Sequence, residues 1–113
     1  NEASSHINFK NRVIASTEGE TILTLKQLTP VRMLKNKFYA EVQQAESNCA
    51  SVTELEKLLG RGRSKKGMFE GNLDEGELEI GQVSALLHKI QPAAEIVNEI
   101  WAEYRLLAQY PQK

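Results

Sequence analysis

The sequence has little cysteine, little histidine and no surplus of either charge. Its single cysteine, Cys49, excludes an internal disulfide and any cysteine zinc set. Cys49 follows Asn48 with no histidine nearby in sequence to activate it, so it reads as a buried or incidental thiol. The two histidines, His6 and His88, are far apart and have no cysteine or carboxylate at ligand spacing, so no metal site is expected. With a formal net charge of −1, the chain carries no overall electrostatic footprint for nucleic acid or for an anionic membrane; any such role must be local. No apolar run approaches the roughly 20 residues that span a bilayer, and no charged-then-apolar signal segment opens the chain. The default expectation is cytoplasmic. The glycines around 60–62 lack a Walker ending and follow no strand, so neither the P-loop nor the dinucleotide fingerprint fits. There is no internal repeat. The chain opens on Asn1 in polar, helix-starting sequence and reads as the continuation of something longer.

What is present describes an ordinary folded domain. A length of 113 residues with 41% hydrophobic and 26% charged content allows one modest core and is too apolar for disorder. Most of the seven glycines fall in residues 60–90. There a basic cluster (Arg61, Arg63, Lys65, Lys66) is followed by acids (Glu70, Asp74, Glu75, Glu77, Glu79) and then an apolar helical pattern. Glycine at such density marks backbone at positive φ or pressed close to something else. The basic cluster could grip phosphate or an acidic partner, or lie solvated beside the acids. The acids show no metal-loop spacing and suit solubility, with Glu77 and Glu79 placed to start a helix. Gly81, one turn into that helix, suggests close approach of another backbone or of a ligand.

The spacing predicts a mainly α chain with one or two short strands. Ser4 or Ser5 caps a helix over 6–15, with Phe9 and Val13 on one face. Residues 21–25 suit a strand, which needs a partner in this chain or outside it. Thr29 before Pro30 signals a helix running to Ser47, with apolar face Leu34, Phe38, Val42 and Ala45. Arg32, Lys35 and Lys37 then crowd its positive end, either solvated or facing an anion. Ser51 and Glu54 form a capping box for a helix carrying Leu55, Leu58 and Leu59 and stopped by Gly60. From Ile80, Val83, Leu87 and Ile90 a last helix runs on past a kink at Pro92 through Ile96, Val97, Ile100, Trp101, Tyr104 and Leu107. Residues 110–113 read as a frayed end. Two portions follow, 1–79 and 80–113.

Several pieces occur together in a familiar order: residues 2–6 through Phe9 and Lys10, then 21–24, then 30–32 through Lys35 and Asn36, then Glu70 and Gly71 with Gly76, and finally Gly81-Gln82. In that order the chain resembles the C-terminal third of the flavin-dependent enoyl-acyl-carrier-protein reductases of bacterial fatty-acid synthesis, which group with the nitronate monooxygenases. The long acidic, glycine-bearing approach to Gly81-Gln82 favours the reductases. The resemblance implies a parent (β/α)8 barrel holding FMN, with a small helical lobe, in which NAD(P)H reduces an enoyl thioester through the flavin; the parent would be a homodimer. It implies that residues 1–79 form the segment after the barrel and the lobe, and that 80–113 pack back on a barrel that this chain does not contain. The catalytic histidine would lie in that barrel, so neither His6 nor His88 takes its role, and the isolated chain is expected to be inactive and to hold no cofactor alone. Gly81 and Gln82 are then candidates for the cofactor-facing wall, with Glu79 and Ile80 beside the substrate and Arg32 as a phosphate contact. Glu79 departs from the apolar residue the reductases are expected to carry. The implied partners are the remainder of the barrel and an acyl-carrier protein or acyl thioester. Two other readings stay open: nitronate oxidation on the same fold, and a free-standing helical module whose basic cluster docks an acidic partner.

Overall fold

The computed structural model describes residues 1–110. It is mainly helical around one antiparallel hairpin. The helices are α1 (Ile7–Ile14), α2 (Lys37–Ser47), α3 (Val52–Leu59) and α4 (Ala93–Ala108); the strands are β1 (Thr21–Thr24) and β2 (Val31–Leu34). A wide helical turn covers Lys65–Phe69 and a tight one covers Gln82–Leu86.

The strand expected near Thr21 finds its partner inside the chain. Residues 31–34, expected to open a helix, instead pair with β1 in the register Thr21↔Leu34 to Thr24↔Val31. The helix starts only at Lys37, where the Asn36 side chain accepts from the Tyr39 amide at 2.8 Å. Pro30 thus ends the hairpin loop rather than starting a helix, and Leu25 at φ 52° makes the turn. The physical reason is the accounting of buried backbone: β1 needs partners, and Val31 supplies a β-branched residue for the opposing strand. Of the cations placed against a helix dipole, Arg32 lies on β2 and only Lys37 is helical.

Because successive strand residues face opposite ways, β2 divides two small cores. Met33 packs with Leu25, Phe38, Val42 and Leu55. Leu34 packs with Phe9, Val13 and Leu78 on the other side. α3 follows its sequence signals: Ser51 Oγ accepts from the Glu54 amide at 3.2 Å, the Glu54 carboxylate accepts from the Ser51 amide at 2.8 Å, and Gly60 ends the helix at φ 63°. α1 is capped by His6 rather than by Ser4 or Ser5. The imidazole Nδ1 accepts from the Asn8 amide at 3.1 Å, while the His6 amide is fixed by the Met68 carbonyl at 2.7 Å.

The dense glycines serve close packing. A Cβ on Gly76 would stand 2.1 Å from the Gly67 Cα, and one on Gly71 would stand 2.4 Å from the His6 ring. Gly81 differs from expectation. It precedes the tight turn at φ −78°, and a Cβ there would meet nothing within 4 Å, so no backbone presses on it. The helix expected from Ile80 is likewise delayed: after the tight turn, Pro92 sits at the N-cap and α4 begins at Ala93. None of its residues is buried; Ile100 is 64% and Trp101 58% exposed. No helix among the described residues is long and apolar enough to cross a membrane. Of the expected frayed end, residues 111–113 lie outside the described residues.

Candidate functional site

The segment that carries most of the candidate residues is laid along β2. The Leu34 amide donates to the Leu78 carbonyl at 2.9 Å, the Ile80 amide donates to the Arg32 carbonyl at 3.2 Å, and Met33 and Glu79 form an antiparallel bridge between them. Glu77 and Glu79 therefore lie on extended backbone, not at a helix start. Asn36 ties the same stretch from the other end, donating its side-chain amide to the carbonyls of Leu73 at 2.8 Å and Gly76 at 2.7 Å. The residues just after, Gly81 and Gln82, are left exposed at the end of this pairing.

Gln82 borders a groove of about 720 Å³, together with Ser16, Thr17, Thr21, Leu86 and His88. The loop at 17–20 holds its shape because the Glu20 carboxylate accepts from the Thr17 amide and from Arg12 Nη2 at 3.2 Å; the first of these, with the Arg12 charge, keeps Glu20 below the ordinary carboxylate range. Arg32 reaches the same rim through Thr21, donating Nη1 to its carbonyl at 3.0 Å and its hydroxyl at 3.3 Å. Gln82 thus stands on the groove with the open side of Gly81 beside it, and Arg32 meets the groove only through Thr21. Ile80 turns instead into the cluster of Phe9, Val13, Leu34 and Leu78. Glu79 is exposed and accepts a hydrogen bond from the Ser64 hydroxyl. His88 is exposed on the groove, and the described residues contain no group of three or more metal-ligating side chains.

At this end of the segment Gly81 leaves open space, and the Gln82 amide offers a donor and an acceptor. The glycines at 60–62 do not point to a phosphate cradle: their loop is occupied by Arg63. That guanidinium donates to the carbonyls of Leu58 at 3.1 Å, Leu59 at 3.1 Å and Glu75 at 2.8 Å, and lies 4.6 Å over the Phe38 ring. It satisfies the free end of α3 and closes the lobe. Arg61, Lys65 and Lys66 stay exposed, and with Lys57 and Glu70 they line a groove of about 440 Å³. Of the acids, Glu75 is held below its ordinary range by Lys37, which donates to it.

Sequence reasoning missed Glu77. Its side chain is buried, at 4% exposure, and burial together with the neighbouring Glu79 carboxylate pushes it up to about 7 against a weaker downward pull from Arg63. It missed Arg63 as a fastener for the same reason: only the fold shows which member of a basic cluster points inward.

Compared with known proteins, the sequence matches the family profile described as nitronate monooxygenase over residues 1–103, and so the chain belongs to the nitronate monooxygenase family of flavin-dependent oxidoreductases. No curated protein matches it significantly. Among solved structures it is similar to FabK from Thermotoga maritima, with 24% identity, a TM-score of 0.83, and coverage of 93% of this chain and 33% of that one. A mutant form of the same FabK is similar at 23% identity and a TM-score of 0.77, covering 96% of this chain and 31% of that one. The chain therefore spans about a third of the length of these structures, and the likeness is one of fold.

Proposed function

We propose that this chain is the lid-and-tail portion of an FMN-dependent enoyl-acyl-carrier-protein reductase, in which it covers the flavin and borders the acyl channel. The observation that carries this reading is the fold likeness to FabK over 93% of the chain, at a TM-score of 0.83. It is supported by the exposed Gly81 and Gln82 at the groove, whose open side leaves space for a ring system and whose side-chain amide suits carbonyl oxygens. In this reading the remainder of a (β/α)8 barrel supplies the catalytic groups, NAD(P)H supplies hydride, and the parent is a homodimer; the chain alone is inactive. The exposed cations Lys57, Arg61, Lys65 and Lys66 offer an acidic carrier protein a place to rest, with Arg63 excluded because its donors are committed.

A second reading, nitronate oxidation on the same fold, is favoured by the family profile over residues 1–103. The test is to join this chain to a FabK-type barrel and follow NAD(P)H oxidation with an enoyl thioester and, separately, oxygen consumption with a nitronate. Thioester-dependent oxidation is expected. Activity on the nitronate alone transfers the assignment to the second reading. No association with any such barrel overturns both and leaves the free-standing interaction module, a reading that the bare apolar face of α4 disfavours.

A further inference from the structure

We propose that Glu2 is the pin of a hinge for the terminal helix: it caps α4 from 91 residues away and so fixes the direction in which the helix leaves the lobe. Such a role lies beyond the reductase reading and does not rest on it. A helix start needs acceptors for its first amides, and this one has no side-chain cap of its own, because Pro92 occupies the N-cap. The amides of Glu95 and Ile96 turn back to the Pro92 carbonyl at 3.1 and 3.3 Å, and the Ala93 amide donates to the Glu2 carboxylate at 2.8 Å. A carboxylate there also faces the positive end of the helix dipole. Glu2 is held in place from α1, where Lys10 donates its Nζ to the carbonyl of Asn1 at 2.8 Å.

The remainder of α4 gives that pin its leverage. None of its 16 residues is buried, and a helix that packs so little depends on its ends. Among the described residues, the hydrogen bonds that tie it to the chain before it fall within its first two turns. Besides Ala93 to Glu2, these include Glu99, which accepts from the Gln91 side-chain amide at 2.8 Å and from Lys89 Nζ at 3.3 Å. Ile96, the least exposed of its large apolar side chains at 42%, lies in the same stretch and borders a groove of about 200 Å³ with Phe9, Val13 and Ile80. Farther along, Ile100, Trp101, Tyr104 and Leu107 are exposed. Residues 87–92, which join the helix to the tight turn, have no regular structure. A helix of 16 residues is about 24 Å long, so a tilt of about 20° at the clasp would carry its far end by about 8 Å. Where the apolar face points is thus set at one end, by polar contacts that can open without disturbing the core.

The test is a pulsed electron-resonance distance measurement on the complete chain. One spin label sits on Cys49, the single cysteine and an exposed one, and the other on Gln109→Cys at the end of α4. Amide exchange of Ala93 and Leu34 is followed beside it. With Glu2 in place, one narrow distance is expected. Glu2→Ala is expected to widen the distribution about twofold and to speed Ala93 exchange about tenfold, as the loss of one cap implies. Glu2→Gln keeps an oxygen that accepts from Ala93 and is expected to keep the distance narrow. The Leu34 amide, which donates to the Leu78 carbonyl inside the lobe, should exchange at its original rate in both variants. A broad distribution with Glu2 in place overturns the pin without recourse to any variant. So does a distance that stays narrow in Glu2→Ala, or Leu34 exchange that speeds up together with that of Ala93, which would make Glu2 a general stabiliser. None of these readouts involves flavin, thioester or barrel, so the failure of the hinge and the failure of the reductase reading stay distinct.

Discussion

The lobe built on the hairpin and the terminal helix α4 both carry regularly spaced apolar residues, and these meet opposite fates. In the lobe, Met33, Leu34, Phe38, Val42 and Leu78 are all 0% exposed, drawn in by a strand that serves two cores. In α4, Ile96, Val97, Ile100, Trp101 and Tyr104 are all exposed, although their spacing is just as regular. Periodicity says that a face is apolar. It does not say what will cover it. The lobe covers its own faces because the glycines let the 67–76 stretch fold back tightly enough to bring Leu78 under β2; α4 is tied down mainly by polar links, such as Ala93 to Glu2 at 2.8 Å and Gln91 to Glu99 at 2.8 Å.

The comparison breaks most visibly if a core residue of the lobe can be lost cheaply. Phe38→Ala is expected to cost about 3–5 kcal/mol, since it removes a fully buried ring and the face on which Arg63 lies; chemical denaturation of the chain measures it. Gly76→Ala comes next, at about 1–3 kcal/mol, because its Cβ would enter the Gly67 backbone, which cannot yield as a flexible side chain would. Gly81→Ala is its control and should leave stability nearly unchanged, within about 0.5 kcal/mol. Arg63→Ala is expected to cost a further intermediate amount, about 1–3 kcal/mol, by leaving the Leu58, Leu59 and Glu75 carbonyls without their donor.

Much of this was legible in residues and some could not be. The Ser51–Glu54 box and its leucines specify α3 locally, and the structure agrees with them. Residues 21–25 announced a strand and even its need for a partner. What hid that partner was Thr29-Pro30, a strong local helix signal that a tertiary requirement overrode: β1 had backbone to satisfy, and Asn36 offered a better cap about two turns later. The motif order over the chain indicated the family. Burial of Glu77 was illegible, because a glutamate among acids reads as solvated until the fold is seen to enclose it. Gly81 and Gln82 were singled out in the sequence and do stand at an open rim, but for a reason other than the helix expected there.

The smallest expected effect separates the two regions most sharply. Trp101 stacks on Tyr104 at 5.4 Å yet is 58% exposed, so Trp101→Ala should change the stability of the chain by no more than about 0.5 kcal/mol. A loss above about 2 kcal/mol would mean that α4 covers its face within the chain, and the contrast with the lobe would fail. The same residue reports on the proposed assembly, because it is the single tryptophan and its emission follows solvent exposure directly. In the chain alone it should emit as a solvated indole. Joined to a barrel that seats α4, it should shift to the blue, and Trp101→Ala should then weaken the union while leaving the lobe's own unfolding where it was, since burial gives an aromatic its energetic weight and here the burial would come from the partner.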